Sequence, residues 1–240
     1  MQVLSIMNVV LVILFSIFSY YQLMYVILGT LKKKKIHPGE GKEHRFGVLI
    51  AARNEEMVIG NLIDSIMRQD YPRELVDIFV IADNCTDSTA AVSAEHGAIV
   101  YERNNKEKVG KCYAMEALLH HIHEDYADRN YDGFFVFDAD NLIAENYISE
   151  MNRVFSEGYK IVTGYRNTKN FSDNWITAGY GIYFMRESCQ MNSSREYIGS
   201  SCFVSGTGYM FFFSSRRGRR VEVVHSDRGS GIFRGYDYPR

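Results

Sequence analysis

Asp138 and Asp140 are the residues whose type and spacing point most directly to chemistry. They follow a mostly apolar run at residues 131–137, which is too short for a helix and is typical of a buried central strand. In open α/β sheets, ligands bind at the carboxyl ends of the strands. Two oxygen ligands there suggest a divalent metal that holds a phosphorylated substrate. The alternative is an ordinary polar turn, because Asp is a common turn residue.

Further polar clusters follow other strand-like runs of the chain. Residues 53–56 follow a run at 46–52, residues 83–89 follow 77–82, residues 103–106 follow 98–101, and a fifth run lies at 160–164. Helical patterns separate the runs, the longest from about residue 111 to 126. This alternation predicts an α/β fold with a mostly parallel sheet, flanked by helices and built from right-handed crossovers. We therefore expect the polar clusters to meet at one edge of the sheet.

These clusters contain the groups that a nucleoside diphosphate requires. Asp83 can accept a hydrogen bond from a base N–H, the loop from Arg53 to Glu55 can hold base and ribose, and Lys111 can approach a phosphate. Asp138 and Asp140 would carry Mg²⁺ or Mn²⁺, which usually needs only one or two protein carboxylates beside substrate phosphates. The metal would stabilise the diphosphate as the bond to it breaks. The sequence has no Gly-x-x-x-x-Gly-Lys-Ser/Thr loop, which disfavours a P-loop hydrolase.

The amino-terminal segment has the length and composition of a membrane helix. No charged residue occurs from residue 2 to 31, and about 30 residues at about 1.5 Å each are enough to cross a bilayer with tilt. A cleaved signal peptide is the alternative, but the start is not basic and no small-residue cleavage site follows. Four lysines at residues 32–35 predict, by the positive-inside rule, that the rest of the chain is cytoplasmic. We expect a single transmembrane helix at 1–31 and a basic linker at 32–45.

Length and composition set broad limits on the function. The 240 residues are enough for one sizeable domain, and the net charge of −2 argues against nucleic acid as a partner. The four cysteines are far apart and form no Cys-x-x-Cys pair, so we interpret them as reduced thiols. The aromatic residues Trp175, Tyr180, Tyr183 and Phe184 allow stacking on sugar rings, but core packing is the simpler interpretation.

Six short motifs, in their order and spacing, carry a resemblance to a known family. They are IAARNEE at 50–56, IADNCTD at 81–87, KVGK at 108–111, DAD at 138–140, GYRN at 164–167 and SGTG at 205–208. Together they resemble the inverting family 2 glycosyltransferases with the Rossmann-like GT-A fold, over about residues 46–211. The resemblance implies transfer of a sugar from a UDP-sugar to the hydroxyl of a saccharide or lipid-linked acceptor, with inversion. Members with a leading membrane helix commonly make surface polysaccharides or glycolipids.

The resemblance also implies roles for individual residues. Asp83 would read uracil, and Glu55 would lie beside the nucleoside, with Arg53 and Lys111 also on the donor side. Asp138 and Asp140 would hold the diphosphate and the metal. The loop of Ser205, Gly206, Thr207 and Gly208 would line the donor-sugar or acceptor side.

The chain departs from the family pattern after about Phe211. The family continues with a Thr-Glu-Asp loop, whose Asp is the catalytic base, and later a Gln-x-x-Arg-Trp motif, and the sequence contains neither. A basic, flexible tail is the simple interpretation of residues 212–240. Residues 221–240 can be back-translated into a DNA sequence with permitted codons. When that DNA is read one nucleotide later, it instead encodes a peptide with Thr-Glu-Asp and an apolar run. We therefore expect a frameshift, an incomplete transferase domain at 46–211 and an aberrant, disordered tail at 212–240, with the general base missing and activity impaired.

Two other functions remain open from the residues alone. One is a non-catalytic, membrane-tethered fragment that binds a nucleotide sugar. The other is a nucleotidyltransferase on a similar sheet, which would be expected to carry a glycine-rich loop with a basic residue after the first strand. Residues 53–55, Arg-Asn-Glu, do not fit that loop.

Overall fold

The computed structural model describes residues 2–31, 41–213, 221–225 and 231–235. Its helices are α1 (Gln2–Leu31), α2 (Ile59–Met67), α3 (Thr89–Glu95), α4 (Lys111–Asp125), α5 (Tyr147–Ser156), α6 (Trp175–Met185) and α7 (Ser193–Tyr197), with a π-helical segment at Arg186–Asn192. Its strands are β1 (Phe46–Ala52), β2 (Val76–Asp83), β3 (Ile99–Arg103), β4 (Gly133–Asp138), β5 (Ile161–Thr163), β6 (Tyr209–Phe212), β7 (Val221–His225) and β8 (Gly231–Gly235). The chain divides into two compact units. The first comprises Met1–Ile36 and Tyr165–Phe203, and the second His37–Gly164 and Val204–Arg240.

The second unit contains a six-stranded sheet in the order β3-β2-β1-β4-β6-β5. Strands β1 to β4 are parallel to one another, whereas β6 is antiparallel to both β4 and β5. The α/β class and the mostly parallel sheet expected from the sequence are confirmed. Because β6 runs the opposite way, the loop before it reaches the edge of the sheet where β4 ends.

The core of this unit explains why the strands are apolar on both faces. Successive side chains of a strand point to opposite faces, and here both faces are covered by helices. Phe135 and Phe137 of β4 pack with α2 and α5, whereas Phe134 and Val136 pack with α4. All four are at most 1% exposed, and complete burial of one such side chain contributes about 2 kcal/mol or more.

The first unit contains α1 and the helical segment from α6 to α7. Helix α1 is long and apolar enough to cross a membrane by length and composition, from Val3 to Leu31. Near its carboxyl end it is held by the second segment. The Arg186 guanidinium donates to Gln22 Oε1 at 2.8 Å, and Ser194 Oγ donates to the Tyr25 carbonyl at 2.6 Å.

The tail expected at 212–240 falls mostly on residues outside the described ones. Within it, β7 and β8 form an antiparallel pair. The expected basic linker at 32–45 likewise lies outside the described residues up to residue 40. The proposed origin of the tail in a shifted frame therefore stays a prediction.

Candidate active site

The carboxylate of Asp83 is buried at the carboxyl end of β2. The residue is only 5% exposed, and Arg103 Nη1 donates to its Oδ1 at 2.5 Å. The two residues are opposite each other in the parallel register of β2 and β3. Arg103 Nη2 also donates to the Lys108 carbonyl at 2.8 Å, which ties the loop after β3 to the same group. Sequence reasoning included Arg103 only in a polar cluster and gave it no role.

Two asparagines shape the loops that follow β1 and β2. Asn54 and Asn84 have φ of 56° and 55°, a left-handed conformation that Asn tolerates better than most residues. The Asn54 Oδ1 accepts from Thr86 N at 2.8 Å. The Asn84 amide group exchanges hydrogen bonds with the backbone of Asn105 at 2.9 and 3.1 Å. The asparagines therefore join three successive strand-end loops, a role that their occurrence directly after apolar runs could have suggested.

Glu55 is positioned by contacts between its loop and the start of α3. Its backbone N–H donates to Thr89 Oγ1 at 2.8 Å, and the N–H of Glu56 donates to Asp87 Oδ2 at 3.2 Å. The hydrogen bond from the Thr89 hydroxyl lowers the pKa of Asp87 below its usual value, and this half-buried carboxylate also accepts from Thr89 N at 3.1 Å. The sequence offered Asp87 and Ser88 as candidates to cap α3. The structure shows that the Asp87 side chain accepts a hydrogen bond from the first N–H of the helix and that the Ser88 side chain does not. Arg53 is exposed in the same loop.

Lys111, Asp138 and the loop before β6 meet at the end of β4. Lys111 is the first residue of α4, and its ammonium forms an ion pair with Asp138 Oδ1. The same ammonium donates to the Gly206 carbonyl at 2.8 Å. The sequence predicted Lys111 and Asp138 as donor-binding residues and Gly206 on the donor-sugar or acceptor side, and the structure brings all three together.

Thr207 fixes this loop to the end of β4. Its hydroxyl accepts a hydrogen bond from Asp138 N at 2.8 Å and donates to Asn141 Oδ1 at 2.5 Å. One residue on, Gly208 N donates to the Val136 carbonyl at 2.9 Å. Gly206 and Gly208 have φ of 68° and 66°, which only glycine adopts without strain. Ser205 is half-buried at the start of the loop.

Negative charge accumulates between the loops that follow β1 and β4. Burial first, and then the charges of Asp140, Asp87 and Asp138, raise the pKa of Glu55 above its ordinary value of 4.5. A divalent cation beside Asp138 and Asp140 would relieve this repulsion, and hard carboxylate oxygens suit Mg²⁺ or Mn²⁺. Among the described residues, no three or more His, Cys, Asp or Glu side chains form a metal-binding group. The donor set therefore fits a metal that takes its remaining ligands from substrate phosphates and water.

The two halves of the site are separated by one strand. Asp83 ends β2 and Asp138 ends β4, and β1 lies between them. Two strand spacings amount to about 10 Å, which is roughly the reach from a nucleoside base to its phosphates. The sheet edge thus offers a buried carboxylate at one end, and at the other a cation beside carboxylates.

A family model described as "Glycosyltransferase like family 2" matches residues 44–222. The 4,4'-diaponeurosporenoate glycosyltransferase of Staphylococcus aureus is 37% identical over 84 residues, which are 33% of this chain and 22% of that protein. The beta-monoglucosyldiacylglycerol synthase of a Nostoc species is 26% identical over 169 residues, 65% of this chain and 35% of the synthase. The matches thus span about a third or less of these curated relatives.

A solved structure shows the same fold. It is a mannosyltransferase from Pyrobaculum calidifontis in complex with GDP-Man and Mn²⁺, with a TM-score of 0.61 and 17% sequence identity. The superposition covers 86% of this chain and 59% of that one. The sheet described above is therefore a GT-A fold.

Proposed function

Because the chain belongs to the family 2 glycosyltransferases, we propose that it transfers a sugar from a UDP-sugar to an acceptor hydroxyl, with inversion. The observation that carries this proposal is that one edge of the sheet presents both the buried Asp83 carboxylate and the Lys111–Asp138 ion pair. A buried carboxylate suits recognition of a base N–H. A lysine beside carboxylates suits a diphosphate and its metal.

The residues of this edge would divide the donor between them. Asp83, kept in place by Arg103, accepts a hydrogen bond from the base, and Glu55 and Arg53 lie on the nucleoside side. Asp138 and Asp140 would hold Mg²⁺ or Mn²⁺, which when bound stabilises the charge that develops on the departing diphosphate. Lys111 then exchanges its contact with Asp138 for a phosphate oxygen. Thr207 holds the backbone of Asp138 in position throughout.

The acceptor side is proposed from the relatives. Their names describe glycosylation of a carotenoid acid and of a diacylglycerol lipid, so a lipid-linked or saccharide acceptor at a membrane suits this chain. We infer that α1 crosses the membrane once and that the second unit lies on the cytoplasmic side.

Binding of UDP tests the donor site directly. The full chain, purified in detergent with Mn²⁺, is expected to bind UDP. Asp83→Asn should weaken binding about fivefold, because the amide oxygen still accepts the base N–H but the charge of the acceptor is lost, about 1 kcal/mol. Asp128→Asn, on a carboxylate outside the site, is the matched control and should bind like the unchanged chain. An Asp83→Asn variant that binds UDP as tightly as the unchanged chain contradicts the assignment of Asp83.

A further inference from the structure

Helix α6 of the first unit exposes apolar side chains over more than half of its circumference. The exposed residues are Trp175 (84%), Ile176 (52%), Tyr180 (58%), Ile182 (55%), Tyr183 (48%) and Met185 (48%). The helix contains no charged residue, and Gly181 is its buried position. Core packing, the interpretation favoured from sequence, therefore does not describe these aromatic residues.

The distribution of these side chains distinguishes a lipid environment from a protein groove. A helix that docks in a groove presents one apolar stripe and keeps a polar face for water. At about 100° per residue, the exposed side chains of α6 cover an arc of about 220°, far wider than the stripe of a helix that docks in a groove. The remaining arc holds Thr177 and Gly181, and Gly181 lies against Phe171 and Asn167 of the same unit. The 11 residues of α6 span only about 16 Å, too short for the hydrocarbon core of about 30 Å. A helix of this kind fits the interface, with its wide apolar arc toward the lipid and its narrow arc toward the protein.

Contacts with α1 give the depth of this segment. Directly after α6, Arg186 and Ser194 hydrogen-bond to Gln22 and Tyr25, and the backbone of Gln190 packs against Gly29. All three partners lie in the last ten residues of α1, a 30-residue helix. At about 45 Å, α1 is longer than the hydrocarbon core, so its carboxyl end reaches the headgroup region. A 30-residue helix centred in the core protrudes by about five residues at each end, so the junction with α1 runs from the headgroup region at Gly29 to the outer part of the hydrocarbon at Gln22.

Arginines beside this junction fit the same environment. Arg195 lies over the rings of Tyr25 and Phe203 at 5.6 and 5.7 Å, and Arg166 lies over Phe184 of α6 at 4.6 Å. Arginine together with Trp and Tyr is the usual composition at the boundary between lipid tails and headgroups. Anionic headgroups attract such cations by about 1 kcal/mol for each near the surface.

The geometry points to a second membrane contact: α6 inserts into the lipid interface beside the carboxyl end of α1, with the nearby arginines at the headgroups. The occupant of its exposed surface is the lipid bilayer. The inference rests on the proposal that α1 crosses the membrane. It goes beyond a single tether, because residues 165–203 would then be held at the membrane surface along with α1.

Trp175 makes this testable without a label, because it is the only tryptophan of the chain. The full chain is reconstituted in vesicles of phosphatidylcholine and phosphatidylglycerol. Trp175 emission is expected to be blue-shifted, quenched by more than half by brominated lipid, and little affected by aqueous iodide. The matched control moves the tryptophan to the far end of α4, as W175F with Glu124→Trp, where the replaced side chain is 58% exposed. Its emission should respond to iodide and not to brominated lipid.

The remaining outcomes separate the alternatives. Quenching of Trp175 by iodide, as for the control, overturns the proposal. Emission that neither quencher reaches means that protein covers α6, which also overturns it. Vesicle flotation of the same samples measures membrane association through α1 separately. A chain that floats with the vesicles while Trp175 stays accessible to iodide refutes only the membrane contact of α6. Ile182→Asp should shift the emission of Trp175 to the red and reduce its quenching by lipid while flotation persists.

Discussion

At the scale of single residues, the pairing of Asp83 with Arg103 matters because both side chains are nearly inaccessible, at 7% and 13% exposure. A buried ion pair contributes little net stability, but removal of one partner leaves a charge without compensation. The pair therefore fixes the position of the carboxylate more than it strengthens the fold. Asp83 was predictable as a strand-end carboxylate. Its partner was not, since it depends on the register between β2 and β3.

Arg103→Met is expected to lower the free energy of unfolding by about 3 kcal/mol, because the Asp83 carboxylate stays buried without its partner. The double variant with Asp83→Asn should recover part of that loss, since the buried charge is gone. Chemical denaturation of the full chain in detergent, followed by circular dichroism, measures both. A double variant less stable than Arg103→Met alone would contradict this account of the pair.

Glu55 provides a pH-dependent prediction. Because burial and neighbouring carboxylates raise its pKa above 4.5, the folded protein binds this proton more tightly than the unfolded chain does. Ionised Glu55 therefore destabilises the fold at neutral pH, and Glu55→Gln is expected to be more stable there. The difference should vanish as the pH falls below 4.5, where Glu55 is protonated in both states. Unfolding curves across this range measure it, and Glu95→Gln, at an exposed position of α3, is the control. A gain that persists in acid would falsify the explanation.

At the scale of elements, the parallel core and the run that forms β5 were predictable, whereas β6 and its direction were not. Strands β1 to β4 are apolar runs separated by helices, so their type and direction follow from the pattern. Strand β6 has only four residues, and the 39 residues from Tyr165 to Phe203 that precede it carry no signal for its direction. Its antiparallel entry brings residues 205–208 to the edge of β4. The motif at these residues was recognised from the resemblance, whereas its contacts required the structure.

Thr207→Val is expected to weaken UDP and Mn²⁺ binding about tenfold while the fold is retained. The substitution leaves Asp138 N without its acceptor and removes the bond to Asn141, a cost of about 1–3 kcal/mol concentrated at the metal-side loop. Thr207→Ser keeps the hydroxyl and should bind nearly normally. Isothermal titration of the three proteins provides the measurement. Equal affinities would show that the loop is held by the backbone contacts of Gly208 alone.

At the scale of the whole molecule, the proposals assign donor recognition to the second unit and membrane contact to the first. Each unit is formed from segments that are separated in the sequence. The apolar α1 was evident from composition, because 30 residues without charge have few alternatives. The exposure of α6 was not, since an apolar run of 11 residues fits a protein core equally well.

The shifted-frame hypothesis also belongs to this scale. The DNA that lies downstream of the codons of residues 211–215 is expected to encode, in the next frame, Thr-Glu-Asp and later Gln-x-x-Arg-Trp. Sequencing of that DNA checks the prediction, and a next frame that encodes neither motif would refute the hypothesis.

The backbone bond from Gly164 N to the Gly208 carbonyl, at 3.0 Å, has a consequence for how such a protein can diversify. It joins the residues on either side of the 165–207 stretch, so the sheet is already closed where that stretch leaves and returns. The entropy cost of a longer loop grows only slowly with its length. Residues 165–203 of this stretch can therefore vary in length and surface at small entropic cost, while the loop at 205–208 keeps its contacts with Lys111 and Asp138.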